Sequence, residues 1–411
     1  MRAEGYAVAQ LGARMHYAVP RILADGGALS HFYTDICAIQ GWPRGLRLLP
    51  AKVLSSGLRR LAGRVPVGVP SEKLSTFTSF GWEYARRRRR ARTAEETTQA
   101  HLWAGAQFNE LILRRGLGDA EGVYTFNGAG LLLLAEARRR GLRGVMEQTI
   151  APVEIEVGIL DEEAGLFPDW EASRRSNGLL GALGAREATE WQHADRIVCG
   201  SEFVRQGIHD VGGPVDKCVV VPYGVDAKPG RLRRRASGPL KVLFVGAVGL
   251  RKGVQYIKNA AEMLSHSQFE FRLVGSVGVN PRAEAALRSA VSIPGPTPRS
   301  EMSKNWEWAD VFLLPSLCEG SATVCYEALA AGLPVITTPN AGSVVRDGVD
   351  GFIVPIRDGL AIAERLERLA SEPGLLEQMS ANALETAREF TVEKYATRLL
   401  GALRGVGESK A

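Results

Sequence analysis

Two carboxylates, Glu319 and Glu327, are separated by seven intervening residues in the segment Cys318–Pro339, CEGSATVCYEALAAGLPVITTP. Between them a turn of small and polar residues, Gly320-Ser321-Ala322-Thr323, follows the apolar run Val311–Leu314 and the Pro315–Leu317 loop, and a helix opens at about Val324. The backbone N–H groups of a helix start have no intrahelical partner, and the helix dipole adds to them, so such a start binds anions. A diphosphate suits it. Glu327, one turn into the helix, can reach the hydroxyls of a ribose on the same ligand. Glu319, before the turn, faces whatever lies beyond the phosphates.

A second segment, Phe244–Gly253 (FVGAVGLRKG), again reads as strand, glycine-rich turn and helix. Gly246 and Gly249 allow a ligand to approach the backbone closely. Arg251 and Lys252 place positive charge where a pyrophosphate leaving group develops negative charge. The spacing is not that of a dinucleotide fingerprint, G-x-G-x-x-G with an acidic residue about 20 positions on, nor that of a Walker A loop. Gly128-Ala129-Gly130 reads as packing. The six histidines (16, 31, 101, 193, 209 and 266) are isolated and no D-x-D-like pair occurs. The expectation is therefore no metal and no cofactor, with His16 and His193 read as structural.

The elements that must carry these residues alternate in the manner of parallel α/β sheets. Tyr6–Leu11, His31–Asp35, Gly122–Phe126, Val145–Thr149 and Arg196–Cys199 read as strands in the first half. Val242–Val245, Glu270–Val274, Val311–Leu314, Val335–Thr337 and Phe352–Val354 do so in the second. Helical patterns separate them, and Leu375–Leu403 forms a long one with a break at Phe390–Thr391. The stretch 227–238 holds Pro229 and the basic run Arg231–Arg235 without apolar periodicity, which is linker composition. The expected domains are 1–226, the linker 227–238, 239–385, and a C-terminal helix within 386–411 that packs back on the first domain. Two doubly wound units place ligands in the crevice between them, at the carboxyl ends of strands.

The chain of 411 residues is 45% hydrophobic and 23% charged, enough apolar material for two cores. Its five cysteines are few and scattered, which excludes a disulfide scaffold and fits a reducing compartment. No run approaches the ~18 apolar residues of a membrane span, and the start shows no leader pattern. Residues 1–118 hold 18 basic and 8 acidic side chains, a balance of +10, and the remainder carries −4. That asymmetry points to a polyanionic partner for the leading half. Lys52–Val65 spaces Leu54, Leu58, Leu61 and Val65 as an amphipathic helix, which fits a membrane surface and a sheet face equally well. The tract Arg86–Arg90 lacks interleaved aromatics, so nucleic acid is not expected. The acidic stretch Glu154–Glu171 has seven carboxylates and no basic residue, and can face the cleft or solvent.

The Glu319-x7-Glu327 pair with its following ALAAGLPVITT, the upstream LPSLCEG, the Lys252-Gly253 turn and the VVVPYGVD hinge together resemble the retaining glycosyltransferases of family 4. The resemblance covers roughly 195–385. It implies an α/β fold of the GT-B type, with two Rossmann-like doubly wound domains facing across a cleft. It further implies that the C-terminal domain takes a UDP- or GDP-sugar and that the reaction is metal-independent. Glu327 would bind ribose and Glu319 the donor hexose. Backbone N–H groups of Ser321–Thr323 would meet the sugar and phosphates, and Lys252 would neutralise the diphosphate. Gly12, in the turn Leu11–Arg14, would be the N-domain glycine near the phosphates. Two positions depart from the family pattern. Ala247 stands where many relatives carry Arg, with Arg251 able to supply the guanidinium. The strand VMEQT offers Glu147 and Gln148 where many carry His. The expected activity is hexose transfer to a saccharide or lipid-linked acceptor in polysaccharide or glycolipid assembly, in the cytoplasm or at the inner face of the cell membrane. The alternatives are a non-catalytic nucleotide-sugar-binding scaffold and a phosphorylase or epimerase of the same fold.

Overall fold

The computed structural model describes residues 5–171, 178–227, 230–234 and 237–404. Pro229 and Arg235 of the linker, the first four residues and the last seven lie outside this set. The first unit carries strands β1 (Tyr6–Gln10), β2 (Leu29–Thr34), β3 (Leu74–Thr76), β4 (Gly122–Phe126), β5 (Arg143–Gln148), β6 (Arg196–Cys199) and β7 (Cys218–Val220). Its helices are α1 (Ala18–Asp25), α2 (Ser56–Ala62), α3 (Thr78–Arg90), α4 (Ala94–Arg115), α5 (Leu131–Arg140), α6 (Val153–Leu166), α7 (Gly178–His193) and α8 (Glu202–Asp210). The second unit carries β8 (Leu240–Val245), β9 (Phe269–Val274), β10 (Ser292–Gly295), β11 (Val311–Leu314), β12 (Val335–Thr337) and β13 (Gly351–Ile353). Its helices are α9 (Val254–Met263), α10 (Pro281–Arg288), α11 (Met302–Trp308), α12 (Thr323–Ala330), α13 (Gly359–Ser371), α14 (Pro373–Glu389) and α15 (Val392–Arg404).

Every pairing between these strands is parallel. The sheet orders are β3-β2-β1-β4-β5-β6-β7 and β10-β9-β8-β11-β12-β13. Parallel sheets are covered by helices on both faces, so their central strands read as unbroken apolar runs; all residues of β1 and of β11 are buried. The order reverses between β1 and β4 and between β8 and β11, and crevices open at the carboxyl ends of these strands. The turns after β1, β8 and β11 all emerge there.

Three features differ from the sequence reading. Lys52–Val65 is not one amphipathic helix: it comprises a 3₁₀ turn at Ala51–Val53 and the seven-residue α2, which ends at Gly63. The linker is partly packed. Arg233 is buried, its guanidinium donating to the carbonyls of Trp306, Glu307 and Ala331. The acidic stretch folds as α6 and the turn after it; its Ile159, Phe167 and Trp170 pack on the core of the second unit. The long C-terminal pattern, by contrast, breaks where expected, at Phe390–Thr391 between α14 and α15. Tyr395, Leu399 and Leu403 of α15 share a core with Tyr6, Val8 and Leu23 of the first unit, and Val225 N–H donates to Phe390 O at 2.9 Å.

Candidate active site

A cleft of about 850 Å³ lies between the two sheets. Arg14, Met15, His16, Arg21 and Thr149 line it from the first unit, and Gly246, Ala247, Arg251, Lys252, Arg299 and the Glu319–Val324 turn with Glu327 from the second. The structure thus brings together Gly246, Arg251, Lys252, Glu319, Gly320, Ser321, Ala322, Thr323 and Glu327. Gly12 is not in the lining. Its φ is +74° and its N–H donates to Asp35 Oδ1 at 3.0 Å, so it shapes the turn that presents Arg14 and His16.

The charged centre sits where the β8 and β11 turns meet. Lys252 Nζ is 2.5 Å and Arg251 Nη1 2.8 Å from Glu319 Oε1. Arg251 Nη1 also donates to Cys318 O at 2.7 Å, and its Nε lies 4.0 Å from Glu156. Burial disfavours the Arg251 charge, but Glu319 and Glu156 outweigh it and hold the guanidinium above its usual range. Lys252 and Glu319 are both largely buried, with side chains 13% and 12% exposed, so their charges act where water screens them weakly. Two cations share the Glu319 carboxylate, with Glu156 at the edge of the group, so fixed charges of both signs meet at the floor of the cleft.

Helix α12 starts beside this cluster with no side-chain cap. The Ala322 N–H is already taken by Ala341 O at 3.0 Å. The expectation that the N–H groups of Ser321–Thr323 all face the ligand is corrected at Ala322 alone, and the first N–H groups of α12, from Thr323 on, have no intrahelical partner. The Ser321 hydroxyl is engaged with the Tyr326 hydroxyl at 2.7 Å. Glu327, further along α12, has its pKa raised by burial, with Arg299 opposing from 3.9 Å. The Cys318 and Cys325 thiols are pushed up to about 12 by burial, which disfavours the thiolate.

The first unit meets the second through close backbone contact. A Cβ on Gly320 would lie 1.9 Å from Thr149 O. Gly320 O accepts from Ser201 Oγ at 2.5 Å, and a Cβ on Gly342 would lie 2.4 Å from that same carbonyl. Thr149 is fixed from behind, its N–H and hydroxyl both donating to Asn127 Oδ1 at 3.2 and 2.7 Å. Arg14 Nη2 donates to Thr149 O at 3.3 Å and to the Tyr223 hydroxyl at 2.7 Å. Buried Glu147 accepts from the Tyr124 and Tyr223 hydroxyls at 2.6 and 2.8 Å and lies 3.5 Å from Arg14 Nε. Despite burial, Tyr223 and Glu147 keep Arg14 charged, above its usual range. Glu147 is therefore an anchor for Arg14 beneath the cleft.

His16, structural on the sequence pattern, lines the cleft and contacts Arg299. Met15, His16 and Tyr17 have φ of +45°, +52° and +62°, three consecutive non-glycine residues in the left-handed region. Such strain persists only where the surroundings impose it. Burial first, then Arg299 and Arg21, lowers the His16 pKa. Arg14 lies in the expected glycine turn Leu11–Arg14 and Thr149 ends the expected strand VMEQT, but no role was legible for either side chain, and His16 and Arg299 are lone residues with no motif around them. The signals for them are the Leu11–Arg14 turn after β1 and positions at the end of β5 and after β10.

Residues 239–372 match the family described as Glycosyl transferases group 1. Over 382 residues the chain is 24% identical to D-inositol 3-phosphate glycosyltransferase 1 of Catenulispora acidiphila, covering 88% of this chain and 84% of that one. It is 29% identical over 236 residues to the putative colanic acid biosynthesis glycosyltransferase WcaL of Salmonella typhimurium, covering 53% of this chain and 58% of that one, so this alignment spans little more than half of that relative. Among solved structures, HepE of Anabaena in complex with UDP and glucose superposes with a TM-score of 0.60 at 12% identity, covering 98% of this chain and all of that one. This likeness shows the fold. The chain is thus a GT-B α/β protein in which residues 239–372 match the glycosyl transferases group 1 family.

Proposed function

We propose that this cleft transfers a hexose from a UDP- or GDP-sugar to a saccharide or lipid-linked acceptor, with retention of anomeric configuration, in polysaccharide or glycolipid assembly. The observation that carries the reading is the Lys252–Glu319–Arg251 cluster set against the uncapped start of α12. The relatives' names agree with it: one acts on an inositol phosphate and one in colanic acid biosynthesis, and HepE was solved with UDP and glucose.

In this reading the diphosphate lies between Lys252, Arg251 and the N–H groups of Thr323 and Val324. Glu327 holds the ribose and Glu319 the hexose. The bond from the anomeric carbon to the phosphate oxygen breaks as the acceptor oxygen bonds to the same face, and the departing phosphate takes the acceptor proton. Negative charge grows on the phosphate as the bond breaks, so fixed cations stabilise the transition state more than the ground state. The first unit supplies the acceptor side, through Arg14, His16 and Thr149. The test is incubation with UDP-, GDP- and ADP-sugars, with and without acceptor saccharides. Nucleoside diphosphate release that requires acceptor supports transfer; binding without turnover supports a scaffold. The anomeric proton coupling of the product tests retention.

The surface of the first unit supports peripheral contact with an anionic membrane. Residues 42–68 contain six basic side chains and no acidic one. Trp42, Leu48, Leu49, Val53, Val67 and Trp82 are exposed large apolar residues, and Trp42 packs edge-on against Trp82 at 5.5 Å. Arg86–Arg90 end the adjoining helix α3, exposed to solvent. Apolar side chains that insert, flanked by cations worth ~1 kcal/mol each near anionic lipid, are what an interfacial protein needs. No helix among the described residues is long and apolar enough to cross a membrane.

A further inference from the structure

The acidic stretch after β5 has a use that the transfer reading leaves unassigned. Chain 153–171 leaves the first sheet at Pro152 and runs onto the second unit. Phe167 packs edge-on against Tyr256 at 5.6 Å, and Trp170 O accepts from Asn280 N–H at 2.7 Å. Its central carboxylate, Glu163, is fully buried. Glu163 accepts from Gln255 Nε2 at 2.8 Å, from the Tyr256 hydroxyl at 3.0 Å and from Arg357 Nε. Arg357 holds a left-handed φ of +66°. A residue kept there at a cost in backbone energy is over-determined by its contacts, and its ion pairs with Glu162 and Glu163 are those contacts.

The consequence falls on Leu250, which immediately precedes Arg251 and Lys252 and opens their 3₁₀ turn. The Leu250 N–H donates to Glu171 Oε1 at 2.6 Å. The Leu250 carbonyl accepts from the same Gln255 Nε2 that donates to Glu163, at 3.1 Å. Gln255 is buried, and its Oε1 finds no donor among the described residues. Glu163 and Leu250 O are both acceptors, so only the NH₂ end of the amide fits between them. The carboxylate therefore fixes which way Gln255 points, so the segment holds the Leu250 N–H directly and bears on its carbonyl through Gln255, beside the Gly253 N–H that donates to the same carbonyl at 2.9 Å.

We infer that Glu163 is a positioning residue for Lys252, acting through Gln255 and Leu250, and that segment 153–171 is a strap by which the first unit sets the geometry of the cationic turn in the second. The inference rests on the assignment of Lys252 to the leaving diphosphate.

The test is a double-mutant cycle on the full-length chain. Acceptor-dependent release of nucleoside diphosphate is measured for wild type, Glu163→Gln, Lys252→Ala and the double variant, using the donor sugar that the panel selects. Glu163→Gln lowers kcat at least tenfold with the acceptor KM within twofold, and costs less than twofold when Lys252 is already alanine. Gln255→Met, which removes the amide relay and leaves the carboxylate, reproduces the same pattern and stands in if Glu163→Gln does not fold. Equal losses in both backgrounds would mean that Glu163 acts on stability alone and would overturn the inference, as would an unchanged kcat for both relay variants. If Lys252→Ala itself turns over at the wild-type rate, the assignment of the cationic turn fails and the strap fails with it; a slow Lys252→Ala beside a wild-type Glu163→Gln sinks only the strap.

Discussion

Alanine at Gly320 probes the contact on which the cleft depends. The added Cβ would sit 1.9 Å from Thr149 O, 2.6 Å from Thr149 C and 3.0 Å from Ile150 N. These are backbone atoms, so no rotamer change relieves them. Restoring an ordinary contact needs the two turns to part by about 1.5 Å, since packed interiors tolerate little overlap. The Gly320 φ is not in the left-handed region, so the substitution strains the contact between the units rather than its own backbone. Misplacing reacting groups by ~1 Å costs about 10²-fold, or about 2.7 kcal/mol of barrier. Gly320→Ala is therefore expected to lose about 100-fold in kcat in the acceptor-dependent release assay while the chain stays folded by circular dichroism. Gly184→Ala, where a Cβ meets nothing within 4 Å, keeps the wild-type rate. If Gly320→Ala matches wild type in both kcat and KM, the close approach of Gly320 to Thr149 is not part of the working enzyme.

Other expectations concern charge and surface. Burial raises the Glu187 pKa from 4.5 to about 7, against hydrogen bonds from Gln148 Nε2 at 2.6 Å and Val153 N–H at 2.9 Å. A raised carboxyl stabilises the fold fully below about pH 4.5 and loses that contribution as pH climbs to about 7, a span of about 3 kcal/mol. Glu187→Gln removes this slope: between pH 4.5 and 8, denaturant midpoints of wild type fall relative to the variant, and parallel profiles would contradict the assignment. Arg14→Met leaves buried Glu147 without its cation; breaking a fully buried pair costs about 3–5 kcal/mol, and because the Arg14 side chain is 31% exposed the expected loss is about 2 kcal/mol, read from urea midpoints; a change under ~0.5 kcal/mol would show that Arg14 anchors nothing. Replacing Trp42 and Leu48 by Ser abolishes sedimentation with phosphatidylglycerol vesicles at low salt. Wild type is recovered poorly with neutral vesicles, and equal recovery with both lipids would refute the membrane surface.

The parts of the fold legible in the sequence are those buried on both faces. Val311–Leu314 reads as a strand because helices cover both sides of it, so no polar residue interrupts it. The missed strands β3 (LST), β7 (CVV) and β10 (SIPG) are short, and β10 contains a proline. Register with a neighbour defines them rather than any pattern of their own. Lys52–Val65 misled because its apolar spacing is helical while Gly57, Gly63 and Pro66 are poor helix residues, and the helix stops at Ala62. In the second unit the candidate site was legible because its chemistry is concentrated in two turns, Gly246–Lys252 and Glu319–Thr323. In the first unit it was not. Arg14 and Thr149 are 135 residues apart and meet only through tertiary structure, and Glu163 looks like any other acid of its helix until Gln255 is placed beside it.

The central claim is that fixed positive charge at Lys252 stabilises the departing diphosphate. The most direct measurement is kcat/KM for acceptor-dependent transfer by Lys252→Ala against wild type, on protein shown to be folded. A loss of at least tenfold, about 1.4 kcal/mol of transition-state stabilisation, is the predicted result; transfer at the wild-type rate would contradict the account.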